Sequence, residues 1–333
     1  MNLKIGLLGG GSWGTTVASL TARNTPTMMW ARDETTVDEV NKHHRNEKYL
    51  PGANLTPTLK ATHSIQEAAN NADVIVMGVP AQFFREVLNY AKPYIRPWVP
   101  IVSLAKGLER GTKMRMTEII EAEMPGHPSG VLTGPNLSKE IIAGQAAASV
   151  IAMVDDTIAK ALQQVFQTGL FRVYTNDDVI GCELGGALKN IIAIAAGMGD
   201  GAGAGDNTRA AIITRGLAEL TRLGVAMGGQ PATFAGLAGM GDLVATCTSN
   251  LSRNHYVGFQ LGKGRKLDDI IEEMSEIAEG VKTANVVMEL AQEYDVDMPI
   301  ATEVYKVLHE GSTINDAFRG LINRKVGSEA EPG

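Results

Sequence analysis

The chain has 333 residues, 44% hydrophobic and 20% charged, enough for two packed domains and not the composition of a disordered polar chain. Thirty basic against 37 acidic side chains leave a net charge of −7, so no nucleic-acid partner is expected and an anionic ligand needs a local positive site. Two cysteines, Cys182 and Cys247, and six histidines without a cluster at ligand spacing exclude a disulfide framework, and no metal is expected.

Five short apolar runs read as buried strands: Lys4–Leu8, Thr27–Ala31, Val74–Val79, Pro100–Leu104 and Gly130–Leu132. Between them Thr15–Arg23, Glu34–His44, Gln82–Lys92 and Lys113–Glu123 carry helical patterns. The first run leads into glycines instead of a cleavage site, which argues against a signal peptide. Ser149–Val154 and Phe171–Tyr174 add two strands around a helix at Thr157–Phe166. Strands alternating with helices predict an α/β fold: a Rossmann-type, doubly wound, mainly parallel sheet with helices on both faces.

After about Asp178 the β-branched alternation disappears. The candidate helices there are Asp178–Met198, Thr208–Leu223, Pro231–Ala235, Asp242–Thr248, Asp268–Met274, Thr283–Glu293 and Thr302–His309. The longest fully apolar stretch, about Ile191–Met198, is shorter than the roughly 18 residues of a membrane span. The expected organisation is an α/β domain over 1–177, an all-α domain over 178–326 and a flexible polar tail over 327–333. No membrane span is expected, and the expected location is cytoplasmic.

Gly9-Gly10-Gly11-Ser12-Trp13-Gly14 matches G-x-G-x-x-G directly after the first strand and at the start of a helix. Gly9 permits the tight turn, Gly11 lets the backbone approach a pyrophosphate, and Gly14 lets the helix pack on the strand. The amides of that helix end then face the phosphates, and Trp13 is expected to lie across the cofactor. The end of the second strand reads Met29-Trp30-Ala31-Arg32-Asp33, with Arg32 placed 23 positions after Gly9. A guanidinium there suits a 2′-phosphate, so NADPH is the preferred cofactor. Asp33 keeps NADH open, because an acid at that strand end accepts from the ribose hydroxyls.

The helical half has three polar islands. In Glu183–Gly197 an apolar helix carries Lys189 on a stripe with Gly185, Ala193 and Ala196, small residues read as leaving room around the ammonium. A lysine so placed must snorkel, pair or work in a cleft, and burial brings proton transfer within reach of neutral pH. Gly239-Met240-Gly241 leads into Asp242, which could cap a helix or, with Thr246 one turn on, orient that lysine. Ser252-Arg253-Asn254 groups a hydroxyl, a guanidinium and an amide, good chemistry for a small phosphate, or else a solvated turn. In the first half, Lys106-Gly107 and Gly134-Pro135-Asn136 each follow a strand at its carboxyl end, where open parallel sheets place ligands.

With these strings in order, the sequence resembles the bacterial NAD(P)-dependent glycerol-3-phosphate dehydrogenases from Gly9 to about Gly320. The resemblance is carried by Gly9–Gly14, Ala105-Lys106-Gly107-Leu108-Glu109, Thr133-Gly134-Pro135-Asn136, Gly185-Gly186-Ala187-Leu188-Lys189-Asn190, Gly239-Met240-Gly241-Asp242-Leu243 and Ser252-Arg253-Asn254. It implies a dinucleotide-binding domain followed by a helical substrate domain, as in the 6-phosphogluconate dehydrogenase-like group. It also implies reduction of dihydroxyacetone phosphate to sn-glycerol 3-phosphate, the precursor of the glycerophospholipid backbone. Position by position, Lys189 would be the general acid and base, with Lys106, Asp242 and Asn190 as catalytic auxiliaries. The resemblance places Lys106, Gly134, Asn136, Lys189, Asp242, Thr246, Ser252, Arg253 and Asn254 on the substrate. It places Gly9, Gly11, Ser12, Trp13, Gly14, Arg32, Lys106, Ser138, Arg253 and Glu279 on NADPH or NADH. A homodimer fits the extensive helical half. The alternatives are a related two-domain reductase of another 2-keto substrate and a non-catalytic NADPH-binding sensor. Ser252-Arg253-Asn254 argues against the first, intact Lys189 and Asp242 against the second.

Overall fold

In the first half the central strands Ile5–Leu8, Val74–Met77 and Ile101–Ser103 are short apolar runs buried on both sides, as a parallel sheet covered by helices requires. The structure is a computed structural model that describes residues 3–274 and 278–324. It divides into two units, Met1–Val179 and Ile180–Gly333, and the expected tail at 327–333 lies outside the described residues.

The first unit is built on strands β1 (Ile5–Leu8), β2 (Thr27–Trp30), β3 (Lys60–Thr62), β4 (Val74–Met77), β5 (Ile101–Ser103), β6 (Ser129–Thr133), β7 (Ala147–Met153) and β8 (Phe171–Asn176). They form one sheet in the order β3-β2-β1-β4-β5-β6-β7-β8, parallel throughout except where β7 runs antiparallel to β6. The helices are α1 (Ser12–Thr21), α2 (Glu34–Asp38), α3 (Ile65–Ala69), α4 (Phe84–Ala91), α5 (Met116–Glu123), α6 (Ser138–Ile142) and α7 (Asp156–Phe166). Alternate strand residues feed two cores. Ile5, Leu7, Val74 and Val76 pack with Val17, Leu20 and Leu162 of α1 and α7. Leu8, Ile75, Met77 and Ile101 pack with Ile65, Leu88 and Ile119 of α3, α4 and α5. The chain turns to opposite sides at β1 and β4, which sets the ligand-binding crevice of such a sheet at their carboxyl ends.

The second unit is helical: α8 (Val179–Gly201), α9 (Asp206–Ala226), α10 (Pro231–Phe234), α11 (Asp242–Thr248), α12 (Arg253–Gly262), α13 (Leu267–Glu272), α14 (Glu279–Glu293), α15 (Pro299–His309) and α16 (Ile314–Ile322). α8 is its axis. Its 23 residues and a mean hydropathy of 1.5 would suit a membrane span, but 94% of that window is buried inside the protein. α8 and α12 touch backbone to backbone at glycines spaced by four. A Cβ on Gly197 would lie 2.1 Å from the His255 carbonyl oxygen, and one on Gly258 would lie 2.0 Å from that of Ile194. Gly201 and Gly262, one turn on, are as tightly covered by Phe259 and Met198. Side chains at any of the four would force these helices apart.

A buried acid closes the other end of this unit. Glu219 of α9 accepts hydrogen bonds from the Ile300 and Ala301 amides, at 2.7 and 3.1 Å, in the uncapped first turn of α15. The amides favour the carboxylate, yet burial dominates and pushes its pKa up to about 7 from 4.5. A raised carboxyl pKa means the folded state holds its proton longer than the unfolded chain. That contribution is complete below pH 4.5 and is lost as pH rises through about 7. Relative to Glu219→Gln, the wild-type protein is therefore predicted to lose about 3 kcal/mol of stability between pH 4.5 and pH 8. Urea unfolding of both proteins at the two pH values measures this, and a difference independent of pH would contradict it.

Candidate active site

In the first unit, β1 runs into the glycine loop and the loop into α1. Gly9 has φ +132°, and a Cβ on it would meet the Gly78 carbonyl oxygen at 2.5 Å. A Cβ on Gly14 would meet the Gly9 carbonyl oxygen at 2.2 Å, so strand and helix approach only because both lack side chains. Gly11 differs: nothing lies within 4 Å of where its Cβ would be. It stands at the N-cap of α1, which no side chain caps among the described residues. An open glycine face in front of an uncapped ten-residue helix fits the pyrophosphate of a dinucleotide, whose charge the first-turn amides would take up.

Asn46 holds this loop in place, a residue that sequence reasoning missed. It is fully buried, and its Nδ2 donates to the Gly10 carbonyl at 3.0 Å and to Thr15 Oγ1 at 2.8 Å. Thr15 Oγ1 donates to the same Gly10 carbonyl at 3.2 Å. With that oxygen held from one side, the planar trans peptide aims the Gly11 N–H the other way. No local pattern announces a contact across 36 residues; the asparagine stands in an ordinary polar loop.

Ser12 and Trp13 open α1, both half-buried. The Trp13 ring meets Phe171 edge-on at 6.3 Å, and its indole N–H is buried without a partner among the described residues. Arg32 follows β2 and is exposed. Asp33 caps α2 through the Thr35 amide at 3.0 Å and pairs with Lys48 at 3.1 Å. At the carboxyl ends of β5 and β6, the half-buried Lys106 donates from Nζ to the Gly134 carbonyl at 2.8 Å, and Gly134 takes φ +131°. Asn136 Nδ2 donates to Ser149 Oγ at 3.1 Å, while its Oδ1 and Thr133 Oγ1 are buried acceptors without a partner among the described residues. Ser138 begins α6 and is half-buried.

In the second unit the lysine is buried and paired. Lys189, 4% exposed, donates to Asp242 Oδ1 at 2.6 Å and to Thr246 Oγ1, and Thr246 passes a hydrogen bond back to the Asp242 carbonyl. Asp242 is not a helix cap; it opens α11 with its carboxylate turned to the lysine. Nor do the small residues of the stripe leave empty room at Gly185. The Ala238 carbonyl oxygen lies 2.6 Å from its Cβ position, so the glycine admits the Leu237–Gly241 turn that delivers Asp242. A carboxylate in this contact favours the charged form of the lysine.

A second polar set lies one residue on. Asn254 Nδ2 donates to Asn190 Oδ1 at 3.0 Å, and Asn254 Oδ1 accepts the Gly280 amide at 2.9 Å, next to Glu279 at the start of α14. Asn254 is buried, so its amide orients Asn190 instead of forming part of a solvated turn. Ser252 caps α12, its hydroxyl accepting the His255 amide at 3.2 Å, and Arg253 stands exposed on the first turn of that helix. Glu279 is half-buried. Lys189, Asp242 and Thr246 thus form one set, and Asn190, Asn254 and Gly280 another. Among the described residues no three His, Cys, Asp or Glu side chains gather as metal ligands.

The family model described as NAD-dependent glycerol-3-phosphate dehydrogenase N-terminus matches residues 4–159, and its C-terminus counterpart matches residues 178–319. The chain is 62% identical over 333 residues to a glycerol-3-phosphate dehydrogenase of the NAD(P)+ type from Sphingopyxis alaskensis, covering 100% of both chains. It is 56% identical over 327 residues to one from Mycobacterium avium, covering 98% of this chain and 96% of the relative. The crystal structure of a glycerol-3-phosphate dehydrogenase from Coxiella burnetii matches with a TM-score of 0.92 at 37% identity, covering 97% of this chain and 99% of that one.

The loop geometry generates a binding prediction. Asn46→Ala leaves the Gly10 carbonyl to Thr15 alone and the Gly11 amide less firmly aimed. Losing a buried, loop-fixing hydrogen bond is predicted to weaken dinucleotide binding about tenfold, read by titration of nicotinamide fluorescence. An unchanged dissociation constant in a folded variant would contradict it.

Proposed function

The chain belongs to the NAD-dependent glycerol-3-phosphate dehydrogenase family, and on that premise we infer that it reduces dihydroxyacetone phosphate reversibly to sn-glycerol 3-phosphate. The observation that carries the chemistry is the buried Lys189–Asp242–Thr246 set, an ammonium held almost wholly out of water. Bound at the glycine loop, the reduced dinucleotide supplies the hydride. We assign the proton to Lys189. As the carbonyl oxygen gains charge, the ammonium stabilises it and then protonates it, which is worth more in a dry site than in water. Asp242 keeps the lysine charged and aimed until transfer, and Thr246 fixes the rotamer. In the oxidation direction the lysine must first lose its proton, and the same pair then takes the one from the alcohol.

Asn190, oriented by Asn254, is assigned a donor role toward the substrate oxygen. Arg253 is assigned the phosphate, with Ser252 and Asn254 shaping the start of α12 around it. Lys106, Gly134 and Asn136 are assigned to the substrate, supported by the Lys106–Gly134 bond and the unused Asn136 acceptor. Gly9, Gly11, Ser12, Trp13, Gly14, Arg32, Lys106, Ser138, Arg253 and Glu279 are assigned to the dinucleotide. The exposed Arg32 guanidinium supports NADPH over NADH. The boundary near residue 178 separates a dinucleotide domain from a substrate domain. We place the enzyme in the cytoplasm as a homodimer, with its product entering glycerophospholipid synthesis.

Mixing the protein with dihydroxyacetone phosphate should consume reduced nicotinamide, faster with NADPH than with NADH. Unphosphorylated dihydroxyacetone should be turned over at least about 100-fold less efficiently, because the remote phosphate positions the carbonyl. Equal rates with the two ketones would refute the phosphate anchor, and no consumption with either cofactor would refute the activity.

A further inference from the structure

Beside the residues assigned to the adenosine end of the dinucleotide site stands a further charged side chain, Lys48. Lys48 stands in the loop after α2, two residues beyond Asn46, and its Nζ lies 3.1 Å from Asp33 Oδ2. Its ammonium also sits 5.5 Å from the centre of the Tyr49 ring. The other Asp33 oxygen accepts the Thr35 amide, so both carboxylate oxygens are engaged, one by a helix end and one by Lys48. The contact with Lys48 holds the Asp33 carboxyl below its ordinary range, and Asp33 in turn raises Lys48. Arg32 is close enough for its charge to oppose that of Lys48, and no other side chain takes up its guanidinium among the described residues.

An acid at the end of the second strand favours NADH by accepting hydrogen bonds from the ribose hydroxyls and by repelling a 2′-phosphate. Asp33 occupies that place, but its outward oxygen is taken and its charge is cancelled. Arg32 and Lys48 against Asp33 leave one net positive charge where Arg32 and Asp33 alone would leave none. We propose that Lys48 is a specificity-determining residue of the dinucleotide site. It withholds Asp33 from the ribose and adds a second cation beside Arg32 for the 2′-phosphate of NADPH. The inference rests on the reading that the Arg32 end of β2 receives the adenosine ribose.

The bland alternative is a surface ion pair without function. Its side chains are 56% and 41% exposed, and pairs of this kind contribute little to stability. A Lys48 variant should therefore fold, which makes the two readings separable. The test is calorimetric titration of the full chain, and of Lys48→Gln, Lys48→Arg and Arg32→Gln, with adenosine 2′,5′-bisphosphate and with 5′-AMP. These probes report the adenosine end alone and need no catalysis. Lys48→Gln is expected to bind the bisphosphate about tenfold more weakly while holding or improving 5′-AMP binding, and Lys48→Arg to retain the wild-type ratio. The kcat/KM ratio for NADPH over NADH should move with the binding ratio. A ratio unchanged in Lys48→Gln but lowered in Arg32→Gln would overturn the role of Lys48 and leave the adenosine assignment standing. A ratio unchanged in both would overturn the two together.

Discussion

An ammonium inside an apolar helix is tolerable only where a carboxylate meets it, and the second unit is arranged around that requirement. Lys189 lies in a stretch of α8 buried on every side. Removing such a charge from water costs several kcal/mol, recovered only through close, well-aligned partners. Asp242 and Thr246 supply them, both delivered by one turn and the short helix that follows. That turn reaches α8 because Gly185 carries no side chain. A stability problem and the catalytic role proposed for Lys189 therefore have the same solution: the pair that makes burial bearable also fixes the ammonium in place.

The same logic extends along α8. Glycines on α8 and α12 let the two backbones touch, and this contact fixes how Asn254 reaches Asn190. Asn254 then ties the start of α14 to the same point through the Gly280 amide. Each helix contributes one polar group to a small hydrogen-bonded network, the kind that specifies geometry instead of adding bulk stability. In the first unit, Asn46 does comparable work from a loop, by holding a carbonyl and thereby aiming an amide.

Much of this was legible in the sequence, for physical reasons. Runs such as Val74–Met77 and Ile101–Ser103 are apolar on both faces, and only a covered parallel sheet accommodates them. The glycine loop was readable because its spacing is dictated by close approaches that glycine alone allows. β3 was not legible: Lys60-Ala61-Thr62 is too short to show a period. α12 was not predicted: its start, Ser252-Arg253-Asn254, was read as chemistry for a small phosphate or else a solvated turn, because a capping serine followed by Arg-Asn has the composition of a turn. α16 escaped although Thr313 and Asp316 form a capping box that could have revealed it. The stripe of small residues beside Lys189 was visible, but not whether space or backbone would fill it. Asn46 and Lys48 were beyond reach, since their partners are distant in the chain and nothing local marks them.

The central claim is that Lys189 carries the proton, and the most direct measurement is the turnover of Lys189→Ala on dihydroxyacetone phosphate with and without a small primary amine in solution. The account predicts dinucleotide binding as in the wild type and turnover lower by about 10²–10⁴-fold, partly restored by the amine. Normal turnover in the variant would contradict it.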